Sequence, residues 1–350
     1  MTRSAGGDRL AVVLFNLGGP DRPEAIRPFL YNLFDDPAIV GLPGPVRHLL
    51  AVAVSTRRER EARAIYARIG GRSPILEETW RQAHALQVAL GEPGEAPPTG
   101  EVRVFVAMRY WHPMSHETAA AVAQWRPDRI VLIPLYPQFS TTTTASSLTD
   151  WHRAAKAVGL GQPTVAVCCY PTETGLAEAH ALALDQAIAR VGPRPYRILF
   201  SAHGLPKTVV ARGDPYPWQV ERTAEAVLKA LGGLHDAVVC YQSRVGPLAW
   251  IGPATGDEIK RAGRDGVAVV LVPIAFVSEH SETLVELDMI GAELARKAGV
   301  TEYLRVPALG ADPVFIAGLA GIVRRARGNP CSAAGHRLCP QAHRRCPMAG

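Results

Sequence analysis

Residues 277–286 read Val-Ser-Glu-His-Ser-Glu-Thr-Leu-Val-Glu, with three carboxylates and an imidazole packed into positions 279–286. Glu279, Glu282 and Glu286 are spaced i, i+3 and i+7, so on a helix opening near Ser278 they share one face. Like charges at that spacing repel, and stability alone does not favour them. Glu279 has a structural use, since an acid in a first helical turn complements the dipole. Glu286, two turns further in, has none. A solvated acidic face is the plain alternative. With His280 among them, these are ligands that ferrous iron and related divalent ions accept, and bases that take protons near neutral pH.

His203 has a comparable setting. It stands in Phe200-Ser201-Ala202-His203-Gly204-Leu205-Pro206, at the carboxyl end of a strand-like run and before a glycine turn. A satisfied structural histidine is its alternative use. No nucleotide or hydrolase signature competes. Gly18-Gly19-Pro20 lacks the dinucleotide spacing, no Walker-type lysine follows a glycine loop, and no Gly-x-Ser-x-Gly elbow occurs. The hydroxyl-rich run at 140–147 suits either an anion at a helix start or a helix N-cap.

These groups need elements that aim them. Residues 267–276 are an almost unbroken β-branched and aliphatic run, the pattern of a strand buried on both faces of a parallel sheet. Five similar runs cover 10–16, 102–109, 129–135, 196–201 and 237–242. They fall into two trios with matched punctuation. Ile133-Pro134-Leu135-Tyr136 answers Val272-Pro273-Ile274-Ala275, and each first member ends in a glycine turn. Each middle member leads through polar residues to a proline, as in Arg109-Tyr110-Trp111-His112-Pro113 and Gln242-Ser243-Arg244-Val245-Gly246-Pro247. Helical composition at 117–124, 182–191 and 218–231 separates the runs. Strands alternating with helices predict α/β units with a parallel sheet, and the repeated trio predicts two similar domains. They are expected at 10–165 and 166–327, with a Cys/His/Arg-rich tail at 328–350. With this symmetry, the strands ending at His203 and before Glu279 share one sheet, at the strand ends where α/β proteins place their sites. Residues 29–54 mix apolar side chains with glycine and proline, which suits a cleft lip or an amphipathic helix pair.

Bulk properties fit a globular, cytoplasmic protein. At 350 residues, with 47% hydrophobic and 20% charged, two ordinary domains are expected. A net charge of +6, without a basic stripe interleaved with aromatics, speaks against nucleic acid. It suits acidic small molecules or an anionic membrane surface. The first residues lack the apolar core of a secretory signal, and no apolar run is long enough to span a bilayer.

The ordered motifs resemble the ferrochelatase family from about Val12 to about Arg325. They include Asn16-Leu17-Gly18-Gly19-Pro20, Ile69-Gly70-Gly71-Arg72-Ser73-Pro74-Ile75, Tyr136-Pro137-Gln138-Phe139-Ser140 and Arg212-Gly213-Asp214-Pro215-Tyr216-Pro217. The segments quoted above around Arg109, His203, Ser243 and Glu282 belong to the same set, the third of them running on to Trp250. The resemblance implies two similar doubly wound, chelatase-like α/β domains facing a cleft. It implies insertion of Fe(II) into protoporphyrin IX to form protohaem, the terminal step of haem biosynthesis. His203 and Glu282 would bind the metal or take the pyrrole protons, with Glu279, His280 and Glu286 as the metal path. Arg58, Tyr66 and Ser243 are candidates for the porphyrin propionates, and Arg109, Tyr110 and Trp250 for lining the pocket. The apolar lip would touch the inner face of the membrane.

Some family members hold a [2Fe–2S] cluster, for which Cys331, Cys339 and Cys346 are the candidate ligands here. The family's internal cysteine position falls at Thr141, leaving Cys168, Cys169, His336 or His343 for a fourth. Zinc or a bare tail are the alternatives. Coproporphyrin or another tetrapyrrole as substrate, and a non-catalytic porphyrin or haem carrier, are the competing functions. Monomer and homodimer both fit the sequence.

Overall fold

The computed structural model describes residues 8–91, 100–243, 248–326 and 332–348. The chain divides into two compact units, one of Met1–Tyr170 with Ile316–Leu338, the other of Pro171–Phe315 with Cys339–Gly350. The tail thus splits, its first part belonging to one unit and Cys339 onward to the other.

The first unit contains β1 (Leu10–Asn16), a 3₁₀ turn (Pro23–Ala25), α1 (Ile26–Phe34), α2 (Gly44–Ala67), α3 (Ile75–Gly91), β2 (Val102–Met108), α4 (Ser115–Trp125), β3 (Arg129–Pro134), α5 (Thr144–Ala157) and β4 (Thr164–Ala166). The second contains α6 (Thr174–Val191), β5 (Tyr196–His203), α7 (Lys207–Ala211), α8 (Tyr216–Leu231), β6 (Ala237–Gln242), α9 (Thr255–Asp265) and β7 (Ala268–Pro273). It continues with a π-helix (Glu282–Gly291), α10 (Ala292–Lys297) and β8 (Tyr303–Arg305), and α11 (Pro313–Arg325) leads back to the first unit. Every strand pairing is parallel. The orders are β2-β1-β3-β4 and β6-β5-β7-β8, the same order twice. This is the duplicated α/β plan that the matched trios predict.

The unbroken apolar runs have a direct cause in the second unit. Ile198, Phe200, Ala202, Ala268, Val270 and Val272 enter one hydrophobic cluster with α6 and α8. The alternate residues Leu199, Val269 and Leu271 enter another with α9. A strand has period two, so both faces of these strands are packed, and the polar residues they do bury, such as Ser201, are hydrogen-bonded. Each fully buried Val, Leu or Ile contributes about 1.5–3 kcal/mol relative to exposure.

Several expectations shift. β7 ends at Pro273 and not at Phe276, because Ile274 and Ala275 already turn. The helix beyond opens at Glu282 in π register, not near Ser278 in α register. Glu279 therefore lies ahead of the helix and does not serve as a first-turn acid. α5 starts inside the hydroxyl-rich run, but its N-cap Thr143 makes no side-chain capping bond. Residues 29–54 run from α1 into the first part of α2. Phe29 and Leu30 on α1 are core residues, while Leu42, Val46, Leu49 and Leu50 around the start of α2 are exposed, Leu49 to 74%.

Candidate active site

β5 and β7 are neighbours in the centre of their sheet, with Ser201 opposite Pro273. Connections from β5 run out to β6 on one side while β7 lies on the other. A crevice at the carboxyl ends of strands, at such a switch in order, is where open α/β sheets place ligands. His203 is the last residue of β5, and the π-helix follows β7.

The local geometry fixes both imidazoles. His203 Nδ1 lies 2.6 Å from the Gly204 carbonyl oxygen. A carbonyl only accepts, so Nδ1 carries the hydrogen and Nε2 of the neutral ring keeps its lone pair. His280 Nδ1 likewise faces Ser278 O at 3.2 Å. Both Nε2 atoms point to Glu282 Oε2, at 3.9 Å from His203 and 3.8 Å from His280. These separations exceed a hydrogen bond, and Glu282 Oε2 is buried without a hydrogen-bond partner among the described residues. Two lone pairs and a carboxylate oxygen around one point form a place for a proton or a cation. Among the described residues no three His, Cys, Asp or Glu groups close into a metal-holding set, so this is an open acceptor cluster and not a finished coordination sphere.

Burial by itself pushes the Glu282 carboxyl up. Once His203 and His280 carry a proton, their charges outweigh it and bring the group down to about 2. Glu286 goes the other way, raised by burial and then by the Glu282 charge, against two bonds from Ser243. Those bonds run from Ser243 N to Oε1 at 2.8 Å and from Ser243 Oγ to Oε2 at 2.5 Å. Ser243 adopts φ 60°, the left-handed region uncommon for a non-glycine residue, and so directs both donors at Glu286. Glu279 is held apart from this pair. Burial would raise it, but Arg305 and its other donors lower it below the usual carboxylate range.

Trp250 packs edge-on to His203, with ring centroids 6.4 Å apart. Gly204 allows this: a Cβ there would lie 3.0 Å from Gln242 O and 3.3 Å from Trp250 Cε3. Gln242 Oε1 accepts a hydrogen bond from Ser201 Oγ at 2.8 Å, which ties the ends of β5 and β6.

In the first unit, Arg109 follows the edge strand β2 much as Ser243 follows β6. Its guanidinium donates to Asp36 Oδ2 at 2.9 Å and to Ser146 Oγ at 2.7 Å, and stacks 4.9 Å above the Tyr110 ring. Tyr110 is buried to 1% exposure and spends its hydroxyl hydrogen on Asp36 Oδ2 at 2.7 Å. Tyr66 lies in the same apolar cluster as Tyr110. Arg58 extends over the Phe34 ring at 5.9 Å. Sequence reasoning missed Asp36, the shared acceptor of this network. Its only signal was an Asp-Asp-Pro turn, which reads equally well as ordinary loop chemistry.

Of the tail cysteines, Cys331 lies outside the described residues. Cys339 and Cys346 are buried, and Gln219 Nε2 donates to Cys339 Sγ at 3.1 Å. Cys168 and Cys169 are buried with Sγ atoms 3.5 Å apart.

Comparison with known proteins gives a consistent result. The family described as Ferrochelatase matches residues 9–327. A ferrochelatase of Caulobacter vibrioides (strain NA1000 / CB15N) is 56% identical over 344 residues, 97% of this chain and 97% of that protein. Those of Phenylobacterium zucineum and Hyphomonas neptunium are 55% and 50% identical, covering 97% and 98% of this chain and 97% and 96% of those proteins. Among solved structures, SirB from Bacillus subtilis with Fe3+ aligns with TM-score 0.53 at 12% identity, over 91% of this chain and 95% of that one. DR2241 from Deinococcus radiodurans, described as structurally similar to chelatases, aligns with TM-score 0.51 at 13% identity, over 92% of this chain and 56% of that one. At such identities the two structures speak for a shared fold alone. The duplicated parallel sheets and the family match over nearly the whole length leave one assignment: this chain belongs to the ferrochelatase family.

Proposed function

We propose that the chain inserts Fe(II) into protoporphyrin with His203, Glu282 and Glu286 dividing the work. Insertion exchanges one divalent cation for the two central N–H protons of the macrocycle, so a base and a cation-stabilising group are needed together. The observation that carries this proposal is the pair of Nε2 lone pairs facing Glu282 Oε2. His203, with Nδ1 committed to Gly204, offers Nε2 as the proton acceptor. Glu282, kept charged, faces the arriving cation and stabilises it. Glu286, whose carboxyl is raised, is the neighbour suited to take up and pass on protons. Two carboxylates pushed in opposite directions are the pattern expected of separate roles. Arg58, Tyr66, Ser243, Arg109, Tyr110 and Trp250 remain the proposed porphyrin contacts, with Tyr110 acting through Arg109 and Asp36.

Haem formation from Fe(II) and protoporphyrin under anaerobic conditions tests this. His203→Ala should abolish insertion while retaining porphyrin binding, measured by fluorescence quenching. A protein that yields no metalloporphyrin with Fe(II) or Zn(II) refutes the chemistry. An unimpaired His203→Ala refutes the choice of base.

The same proposal places the protein in the cytoplasm, touching the inner face of the membrane. Among the described residues no helix is long and apolar enough to cross a membrane. Ile39, Leu42, Val46, Leu49, Leu50 and Val52 are nonetheless exposed, and the exposed Arg57 and Arg60 follow on α2. An apolar patch beside cations suits an anionic lipid surface. Co-sedimentation with phosphatidylglycerol vesicles should occur and weaken with Leu49→Glu. Concentration-dependent dimerisation lost in that variant, without lipid binding, would point to a second copy instead.

A [2Fe–2S] cluster on Cys331, Cys339 and Cys346 stays a proposal; with a threonine at position 141, its fourth ligand would come from Cys168, Cys169, His336 or His343.

A further inference from the structure

β8 is an edge strand, paired only with β7 among the described residues, with Tyr303 opposite Val269 and Arg305 opposite Leu271. Its two polar residues, two apart and so on one face, both reach the π-helix. The Arg305 side chain is only 8% exposed. It grips Asp288 with two bonds, Nε to Oδ1 at 2.5 Å and Nη2 to Oδ2 at 2.7 Å. Nη1 donates to Glu279 Oε1 at 2.8 Å, where Ala308 N also donates at 2.9 Å. Glu279 precedes the π-helix and Asp288 lies within it, so one cation ties down both sides of the segment that carries Glu282 and Glu286. Tyr303 adds a second tie by donating to Leu287 O at 2.8 Å. Gly291 makes room for it, since a Cβ at that position would lie 2.5 Å from the Tyr303 hydroxyl. In an α-helix the Leu287 carbonyl would take the N–H of Gly291, and in π register that of Ala292. Here Ala292 N donates to Met289 O, and Tyr303 supplies Leu287 with a donor from outside the helix.

We propose that Arg305 and Tyr303 are positioning residues for metal insertion: from the edge strand they hold residues 282–288 in the π register that sets Glu282 against the two imidazoles and Glu286 against Ser243. Such helices are rare, and ordinary α winding is the competing state. Winding back to α register would turn Glu286 relative to Glu282 and break the geometry shared with Ser243. The proposal rests on the roles given above to Glu282 and Glu286. Neither Arg305 nor Tyr303 is assigned a contact with substrate.

Three variants grade the effect. Tyr303→Phe keeps the ring and removes one donor. Arg305→Lys keeps a charge but loses the two-pronged grip. Arg305→Met removes both. The kcat/KM for Fe(II), and for Zn(II) as a second probe, should fall roughly threefold in Tyr303→Phe and roughly tenfold or more in Arg305→Met, with Arg305→Lys between. Protoporphyrin affinity should stay within about twofold, and far-UV circular dichroism of Tyr303→Phe should be unchanged. Asp288→Asn added to Arg305→Met should cost nothing further, because both act through one contact. Wild-type metal kinetics in both Tyr303→Phe and Arg305→Lys would overturn the proposal. So would equal losses in metal and porphyrin parameters, the mark of general loosening. Glu282→Gln run alongside separates the two levels. If it turns over normally, the roles assigned at the site fail; if it is inactive while Tyr303→Phe and Arg305→Lys are both unaffected, only the positioning role fails.

Discussion

Asp36 illustrates how much a single carboxylate can organise. Its Oδ2 accepts from Arg109 and Tyr110, and Ser146 Oγ makes a very short bond to the same oxygen. Oδ1 accepts from Ala38 N at 2.8 Å. The residue is buried at 3% exposure, and the Arg109 side chain is largely covered. Removing one partner of such a pair leaves the other charge buried and unbalanced, at a cost of about 3–5 kcal/mol. Asp36→Ala should therefore lower the unfolding free energy by about that much in urea titrations, and also reduce porphyrin affinity through Arg109. A loss below about 1 kcal/mol would mean that water replaces Asp36 at little cost. His203 and Glu282 differ in kind. Their polar atoms stand close but unbonded, which is poor for stability and useful for passing a proton or a cation.

At the scale of elements, what the sequence made legible follows from periodicity. The bounds of β1 and β6 were readable to the residue, because their flanks are polar or turn-forming. β4 and β8 were not, since three-residue edge strands carry too few positions to show a period. The spacing at 279–286 predicts one face of an α-helix, whereas the structure has a π-helix that opens only at Glu282. The i, i+3, i+7 rule assumes α winding, and nothing local in the sequence announces a π register stabilised by Arg305 and Tyr303 some 15 residues downstream. For the same reason the sequence suggests a dipole partner at Glu279, where the structure has a salt-bridge partner of Arg305. Its depressed carboxyl makes a signed prediction. The folded value lies below the unfolded one, so its stabilising contribution is full above about pH 4.3 and is lost as pH falls through the folded value. Glu279→Gln should unfold at lower temperature than wild type at pH 7, and the gap should narrow below about pH 4. A gap unchanged down to pH 3 would show that the Arg305 pairing does not set its titration.

The whole molecule uses one plan twice and puts different chemistry on it. At the end of the central strand β1, Asn16 is locked by its amide to Thr79 Oγ1 at 2.9 Å, and at the end of β5 stands His203. After the edge strands come Arg109, paired with Asp36, and Ser243, paired with Glu286. Duplication supplies equivalent positions, and substitution at the strand ends gives each copy its own polar pairing. The second unit also carries a group unrelated to that chemistry. His180 lies on α6, which packs on α8 and β7, and it is completely buried. Neither of its ring nitrogens has a hydrogen-bond partner among the described residues, and burial pushes the imidazole down to about 4. In the unfolded chain a histidine titrates near 6.5. Between those values the unfolded state binds a proton that the folded state does not, so stability falls as the pH drops through that window. At about 1.4 kcal/mol per unit, the loss reaches roughly 3 kcal/mol by pH 4. Acidification would then weaken the second unit before most carboxylates protonate. Thermal unfolding followed from pH 7 to pH 4.5 should show a steep decline in wild type and a shallower one in His180→Leu, with the two curves separating progressively below about pH 6.5. Parallel curves over that range would mean that His180 finds a way to stay protonated in the folded protein, and that acid sensitivity arises elsewhere.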